Sequence, residues 1–187
     1  VRISHKHKFV FIAIPKTGTK SINQTLDKVT EDIDPLNILK PGRRNHPTAS
    51  ETKNYFNKMG WNWNEYFKFA FVRNPYDRLI SRLAYIEGEH NINPGRINKT
   101  LPYVLHQFNW IYDRNNKNLL DFIGRFENLQ ADFDTICDKI KIQRQKLPHK
   151  NATNHKHYTE YYNDEVKELV ARVCRRDIQI KKYEFGE

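Results

Sequence analysis

The sequence predicts an α/β fold, with a central parallel sheet flanked by helices, and three observations predict it. Short apolar runs occur at Phe9–Ile14, Phe67–Val72 and Leu119–Phe126, each of strand length. A helical pattern follows each run, the βαβ signature of parallel strands covered by helices. Two of the strand-to-helix junctions, "IPKTGTKS" and "RNPYDRLIS", carry residues suited to anions.

In chain order, the first strand feeds a helix over Thr19–Val29, and the polar stretch Asp32–Asn45 reads as a loop. Pro47 is placed as the first residue of a further helix, because its fixed φ and missing N–H suit that position. The second strand feeds a helix over Pro75–Glu87. Its apolar stripe Tyr76, Leu79, Leu83 and Ile86 sets Ser81 off the core face. The third strand feeds a helix over Asn128–Ile140, with Phe133, Ile136 and Ile140 at helical intervals. Gln143–His157 reads as a loop, and a last helix is expected from Tyr158 to about Ile178. The first residues, with His5 and His7, are expected to fray. At 187 residues, 38% hydrophobic and 13% aromatic, the chain is expected to form one domain over residues 1–187.

Thirty-two Lys and Arg against 22 Asp and Glu leave a net charge of +10, which favours a polyanionic partner: nucleotide phosphate, acidic glycan, nucleic acid or anionic membrane. Cys137 and Cys174 have neither CxxC nor paired-His spacing, so two reduced thiols are expected, with no zinc site. No apolar run approaches the ~18 residues of a membrane span, and no signal-peptide pattern opens the chain. The expectation is a soluble, cytoplasmic protein. Because the sequence starts at Val1, a Golgi-lumenal location follows only if an upstream anchor was removed, and only then do the sequons at Asn23, Asn98 and Asn151 matter.

At the first junction, backbone N–H groups and a helix N-terminus converge, the geometry that binds phosphate. Gly18 permits close approach, Thr17, Thr19 and Ser21 offer hydroxyls, and Lys16 and Lys20 offer charge. The string fails the nucleotide-triphosphatase pattern GxxxxGK[ST] at both glycines. Its plain alternative is a well-capped turn. At the second junction Arg73 ends a strand, Asn74 can cap, Pro75 suits the first helical position, and Asp77 complements the helix dipole. Arg73 and Ser81 could both reach one phosphate.

Taken in order, "IPKTGTKS" and "RNPYDRLIS" resemble the 5′-phosphosulfate loop and 3′-phosphate motif of sulfotransferases that use 3′-phosphoadenosine 5′-phosphosulfate (PAPS), particularly the carbohydrate-type branch. "HPTASE", "FIGRFENLQADFDTIC" and "LPHKNATNHKHYTEYYNDEV" look like its small bacterial and viral members. Lys20 departs from the Thr or small residue commoner there. The resemblance implies a P-loop-like nucleotide-binding fold and transfer of a sulfuryl group to a hydroxyl, on a carbohydrate, leaving adenosine 3′,5′-bisphosphate. It implies Lys16 at the bridging oxygen of the donor, Thr17, Gly18, Thr19, Lys20 and Ser21 around the 5′-phosphate, Arg73 and Ser81 on the 3′-phosphate, and Phe126 stacked on adenine. Residues Asn151 to Lys156 would close over the nucleotide. No metal is implied.

His46 is the expected general base, placed by Pro47 at a helix N-terminus whose dipole keeps the ring neutral, and matched by a His in the branch's "H-x-T-A" setting. His149, His155 and His157 are the reserve candidates. Trp61, Trp63 and Trp110 could be sugar platforms or core. Two other classes stay open: a nucleotide kinase, which would want a strand-end carboxylate for magnesium, and a basic nucleic-acid-binding module.

Overall fold

The computed structural model describes residues 1–33, 35–36, 46–88, 106–148 and 156–187. They belong to two compact units, Val1–Val72 with Asn109–Lys150, and Arg73–Phe108 with Asn151–Glu187.

The first unit holds a five-stranded sheet of β1 (Arg2–Ser4), β2 (Phe9–Ile12), β3 (Asp32–Ile33), β4 (Phe67–Val72) and β5 (Phe122–Arg125), in the order β3-β1-β2-β4-β5. β2, β4 and β5 are parallel, with Ile12 opposite Ala70 and Val72 opposite Arg125, whereas β1 runs antiparallel to β2 and β3. The phenylalanines at alternate positions of β2 and β4, Phe9, Phe11, Phe69 and Phe71, are fully buried with Ile22 and Leu26 of α1 (Thr19–Leu26) and Phe133, Ile136 and Cys137 of α5 (Leu129–Lys139). Each such ring contributes about 1.5–3 kcal/mol by leaving water. The residues between them, Val10, Ile12, Ala70 and Val72, are also buried, as expected for parallel strands covered on both faces. Gly124 is required here, because a Cβ at that point would lie 2.5 Å from the ring of its cross-strand partner Phe71.

α2 (Ala49–Met59) begins two residues later than Pro47 suggests. Thr48 is its N-cap, the Thr48 hydroxyl accepting from the Glu51 N–H and the Glu51 carboxylate from the Thr48 N–H. That reciprocal box outweighs the preference of proline for a first turn, so Pro47 and His46 precede the helix. The start of the chain is not frayed: β1 pairs on both edges, Val1 is buried, and Arg2 pairs with Asp27. The His5 ring bridges the Tyr66 hydroxyl at 2.7 Å and Asp32 at 2.9 Å, which also anchors β3 within the stretch read as loop. The third strand is shorter than expected, Leu119 and Leu120 being buried ahead of it without joining the sheet. Trp63 and Trp110 are core residues, and only Trp61 of the three is partly exposed, packed against His5, Tyr55 and Phe56.

In the second unit α3 spans Pro75–Glu87 as expected. Its Tyr76, Leu79, Ile80 and Leu83 bury against Val166 and Val170 of α6 (Asp164–Val173). Tyr76, Leu79 and Leu83 of the expected stripe are buried, but Ile86 is exposed and Ser81 is buried, because Ile80 carries the apolar face toward Ser81. The expected C-terminal helix is broken in two places. Tyr158–Tyr161 forms a single tight turn, Asn163 caps α6 through the Val166 N–H at 2.9 Å, and Cys174 separates α6 from α7 (Arg175–Lys181). A short helix, α4, spans Phe108–Ile111.

Candidate functional site

Beyond β2 the chain makes a tight loop, Ala13 to Gly18, before α1. Lys16 and Gly18 both adopt left-handed backbone, at φ 70° and 75°. For a lysine this conformation costs about 1–2 kcal/mol, so the surrounding structure imposes it. Gly18 is the N-cap of α1, no side chain caps that helix, and its first turn carries no carboxylate. Among the described residues, its first turn thus supplies no carboxylate to its N-terminal N–H groups and positive dipole end. A Cβ on Gly18 would lie 2.9 Å from Leu129 Cδ2 and 3.3 Å from the Phe126 ring, so any side chain there would displace the Leu129 methyls in addition to straining the left-handed backbone.

The hydroxyls of the loop divide into two kinds. Thr17 and Thr19 both donate to the Ile14 carbonyl, at 2.9 and 2.7 Å, and so hold the loop closed instead of pointing a proton outward. The Ser21 hydroxyl has no protein partner among the described residues, and Lys20 is exposed. Phe126 follows β5 directly, opens the tight turn Phe126–Asn128, and lies partly buried beside Gly18.

His46 belongs to the same unit, and its Nδ1 lies 2.8 Å from the Ala13 carbonyl at the root of the loop. A carbonyl only accepts, so Nδ1 carries the proton and Nε2 is the basic nitrogen. The backbone of His46 is also held, its carbonyl accepting from the Trp110 indole N–H at 3.0 Å. The ring is thus oriented through Nδ1 and its backbone through the carbonyl. Trp110 is a contribution that sequence reasoning left undecided between sugar platform and core. His157 lies in the other unit with its Nδ1 on the Thr159 hydroxyl, and His149, His155 and the segment Asn151–His155 lie outside the described residues, as do the sequons at Asn98 and Asn151.

In the second unit Arg73 is buried, and its Nε donates to Asp77 one helical turn on, at 2.7 Å. Gln107 brackets its backbone: Oε1 accepts from the Arg73 N–H and Nε2 donates to the Arg73 carbonyl, both at 2.9 Å. Asp177 in turn accepts from the N–H groups of Gln107 and Phe108, at 2.9 and 2.8 Å. Burial pushes the Asp177 carboxyl up, against the pull of those two N–H groups and of Arg78 and His106. Burial likewise holds the Arg78 guanidinium down to about 10, with Asp177 the main opposing influence. Ser81 stands two turns along α3 from Arg73, and its hydroxyl has no protein partner among the described residues. Gln107 and Asp177 left no signal in the sequence, being joined to Arg73 only by the fold.

Residues 1–91 match the Sulfotransferase family. An uncharacterized protein of Archaeoglobus fulgidus is 33% identical over 91 residues, a match covering 41% of this chain and 69% of that protein. No solved structure matches the chain. With its α/β sheet, its glycine-cradled loop after β2 and this match, the chain belongs to a sulfotransferase family.

Proposed function

We propose that this sulfotransferase takes its sulfuryl group from PAPS and transfers it to a hydroxyl of a carbohydrate, the whole chain acting as one domain. The observation that carries the proposal is the hydrogen bond between His46 Nδ1 and the Ala13 carbonyl, which ties the imidazole ring to the root of the glycine-containing loop. The residues fit such a donor. At Gly18 the loop is bare backbone in a left-handed conformation, and the Ser21 hydroxyl beside it has no protein partner among the described residues. When bound, the donor supplies an activated sulfuryl group on a phosphate leaving group.

The chain's own residues supply the rest. The N–H groups from Thr17 to Lys20 and the hydroxyl of Ser21, whose own N–H donates to the Gly18 carbonyl, bind the 5′-phosphate, with Lys20 adding charge at its edge. Thr17 and Thr19 contribute through their backbone, since their hydroxyls hold Ile14. Lys16 brings positive charge to the bridging oxygen, where negative charge grows as the bond to sulfur breaks. Arg73 and Ser81 hold the 3′-phosphate, and Phe126 packs on the adenine. His46 Nε2 takes the proton of the acceptor hydroxyl, and the bond from Nδ1 to Ala13 stabilises the imidazolium that results. The net charge of +10 suits an acidic glycan as acceptor.

The test is transfer of labelled sulfuryl from PAPS to a panel of hydroxylated glycans, run beside phosphoryl transfer from ATP with magnesium. Label on a glycan supports the reading. Phosphoryl transfer without sulfuryl transfer would replace it with a kinase, and polynucleotide binding with neither activity would replace it with a nucleic-acid module.

A further inference from the structure

We infer that Gln107 is a positioning residue for Arg73, setting the direction from which that guanidinium meets the 3′-phosphate and thereby the preference for a 3′-phosphorylated nucleotide. The inference rests on the reading of Arg73 as the 3′-phosphate ligand.

Arg73 is the first residue past β4, where the sheet stops supplying backbone partners. A buried N–H and C=O left open there would each cost about 1–3 kcal/mol. The Gln107 carboxamide pairs with both, as a neighbouring strand would, and does so from a side chain that is itself fully buried. Gln107 is held in turn through its own N–H by the Asp177 carboxylate, which takes the next N–H, that of Phe108, with its other oxygen. The carboxamide has one acceptor and one donor face, and both match Arg73. It therefore fixes the orientation of the Arg73 peptide, and with it the direction of the Cα–Cβ bond. Asp77 fixes the far end at Nε. A long side chain clamped at its root and at Nε loses little further freedom when its terminal nitrogens engage a phosphate. Without the root clamp that ordering cost falls on binding, and only ligands bearing the 3′-phosphate register it.

The experiment compares calorimetric dissociation constants for adenosine 3′,5′-bisphosphate and adenosine 5′-monophosphate in wild type, Arg73→Ala, Gln107→Leu and Gln107→Asn. Gln107→Leu is expected to weaken the bisphosphate by roughly tenfold, the scale at which outer partners of metal ligands act, while leaving the monophosphate unchanged. Should the Leu variant not fold, Gln107→Asn keeps a buried amide but shortens its reach by one methylene, and the same selective loss is expected. Equal weakening of both nucleotides by a folded variant, or no change in either, would overturn the positioning role. If wild type itself does not prefer the bisphosphate, or Arg73→Ala leaves that preference intact, the assignment of Arg73 fails first. Loss of preference in Arg73→Ala together with full preference in both Gln107 variants would sink the inference alone.

Discussion

The junction after β2 starts its helix on Gly18, with no side-chain cap and no carboxylate in the first turn, whereas the junction after β4 starts on Asn74, which caps the Tyr76 N–H, with Asp77 in its first turn. In sequence both are strand, turn and helix with basic residues nearby. Among the described residues the first leaves backbone donors open, and the second caps its own helix end through Asn74. On our reading the first binds an anion with main chain, and the second needs a side chain, Arg73, held from outside by Gln107. Substitution should therefore act differently at the two: geometry governs the first, charge the second.

The largest effect is expected at His46, beside the first junction. His46→Ala should keep bisphosphate affinity and lose roughly 10²–10⁴-fold in turnover, the range for a positioned proton acceptor. In wild type the rate should rise with pH through the imidazole range, since only the neutral ring accepts a proton, and that limb should be absent from the variant's profile. Near-normal turnover with the same limb would move the role to another histidine. Next in size is Arg73→Ala, which removes a charge-assisted contact worth about 1.5–3 kcal/mol. Calorimetry should find the loss for adenosine 3′,5′-bisphosphate and not for the 5′-monophosphate.

Gly18→Ala probes geometry. A residue with φ 75° and a Cβ 2.9 Å from Leu129 should destabilise the fold by about 1–3 kcal/mol, read as a lowered melting temperature, and should weaken both nucleotides alike. Thr19→Val is expected to be milder, about 0.5–1.5 kcal/mol of stability for the lost bond to Ile14, with affinity for either nucleotide nearly kept. A large selective loss of 5′-phosphate binding in this variant would mean that the hydroxyl turns outward and that the comparison is drawn too sharply.

A separate stability trend lies away from both junctions. Burial pushes the Cys137 thiol up to about 11 and the Cys174 thiol up to about 12, from an ordinary 9.0. Because the folded-state values are raised, their stabilising contribution is complete below pH 9. It is lost as the pH climbs toward 11 and 12, where the unfolded chain has already released these protons. Denaturant midpoints should fall across that window, and replacing both thiols with alanine should flatten the fall, whatever it does to stability at neutral pH.

The parts of this architecture that were legible in the sequence are those with local causes. Phe67–Val72 and Pro75–Glu87 were read to the residue because an apolar run meets an Asn-Pro start that needs nothing distant. β1 and β3 were not, since three and two residues carry no periodicity and depend on pairing across 30 residues of chain. The start of α2 was misjudged by weighing Pro47 above the Thr48–Glu51 box, although the box was visible. At the candidate site the residue types could be read, but not what orients them. Ala13 holds His46 through a carbonyl 33 residues away, and Gln107 holds Arg73 from 34 away, in contacts that only the fold creates. The inward turn of the Thr17 and Thr19 hydroxyls was equally hidden, because it follows from the left-handed kink at Lys16 and Gly18.

The central claim is that one nucleotide is recognised by a phosphate at each end, without metal. Calorimetric titration of the wild-type chain with adenosine 3′,5′-bisphosphate and with adenosine 5′-monophosphate, in the presence of a chelator, tests it most directly. The account predicts that the bisphosphate binds at least about tenfold more tightly, the value of one charge-assisted phosphate contact. Equal affinities, or binding that appears only when magnesium is restored, would contradict it.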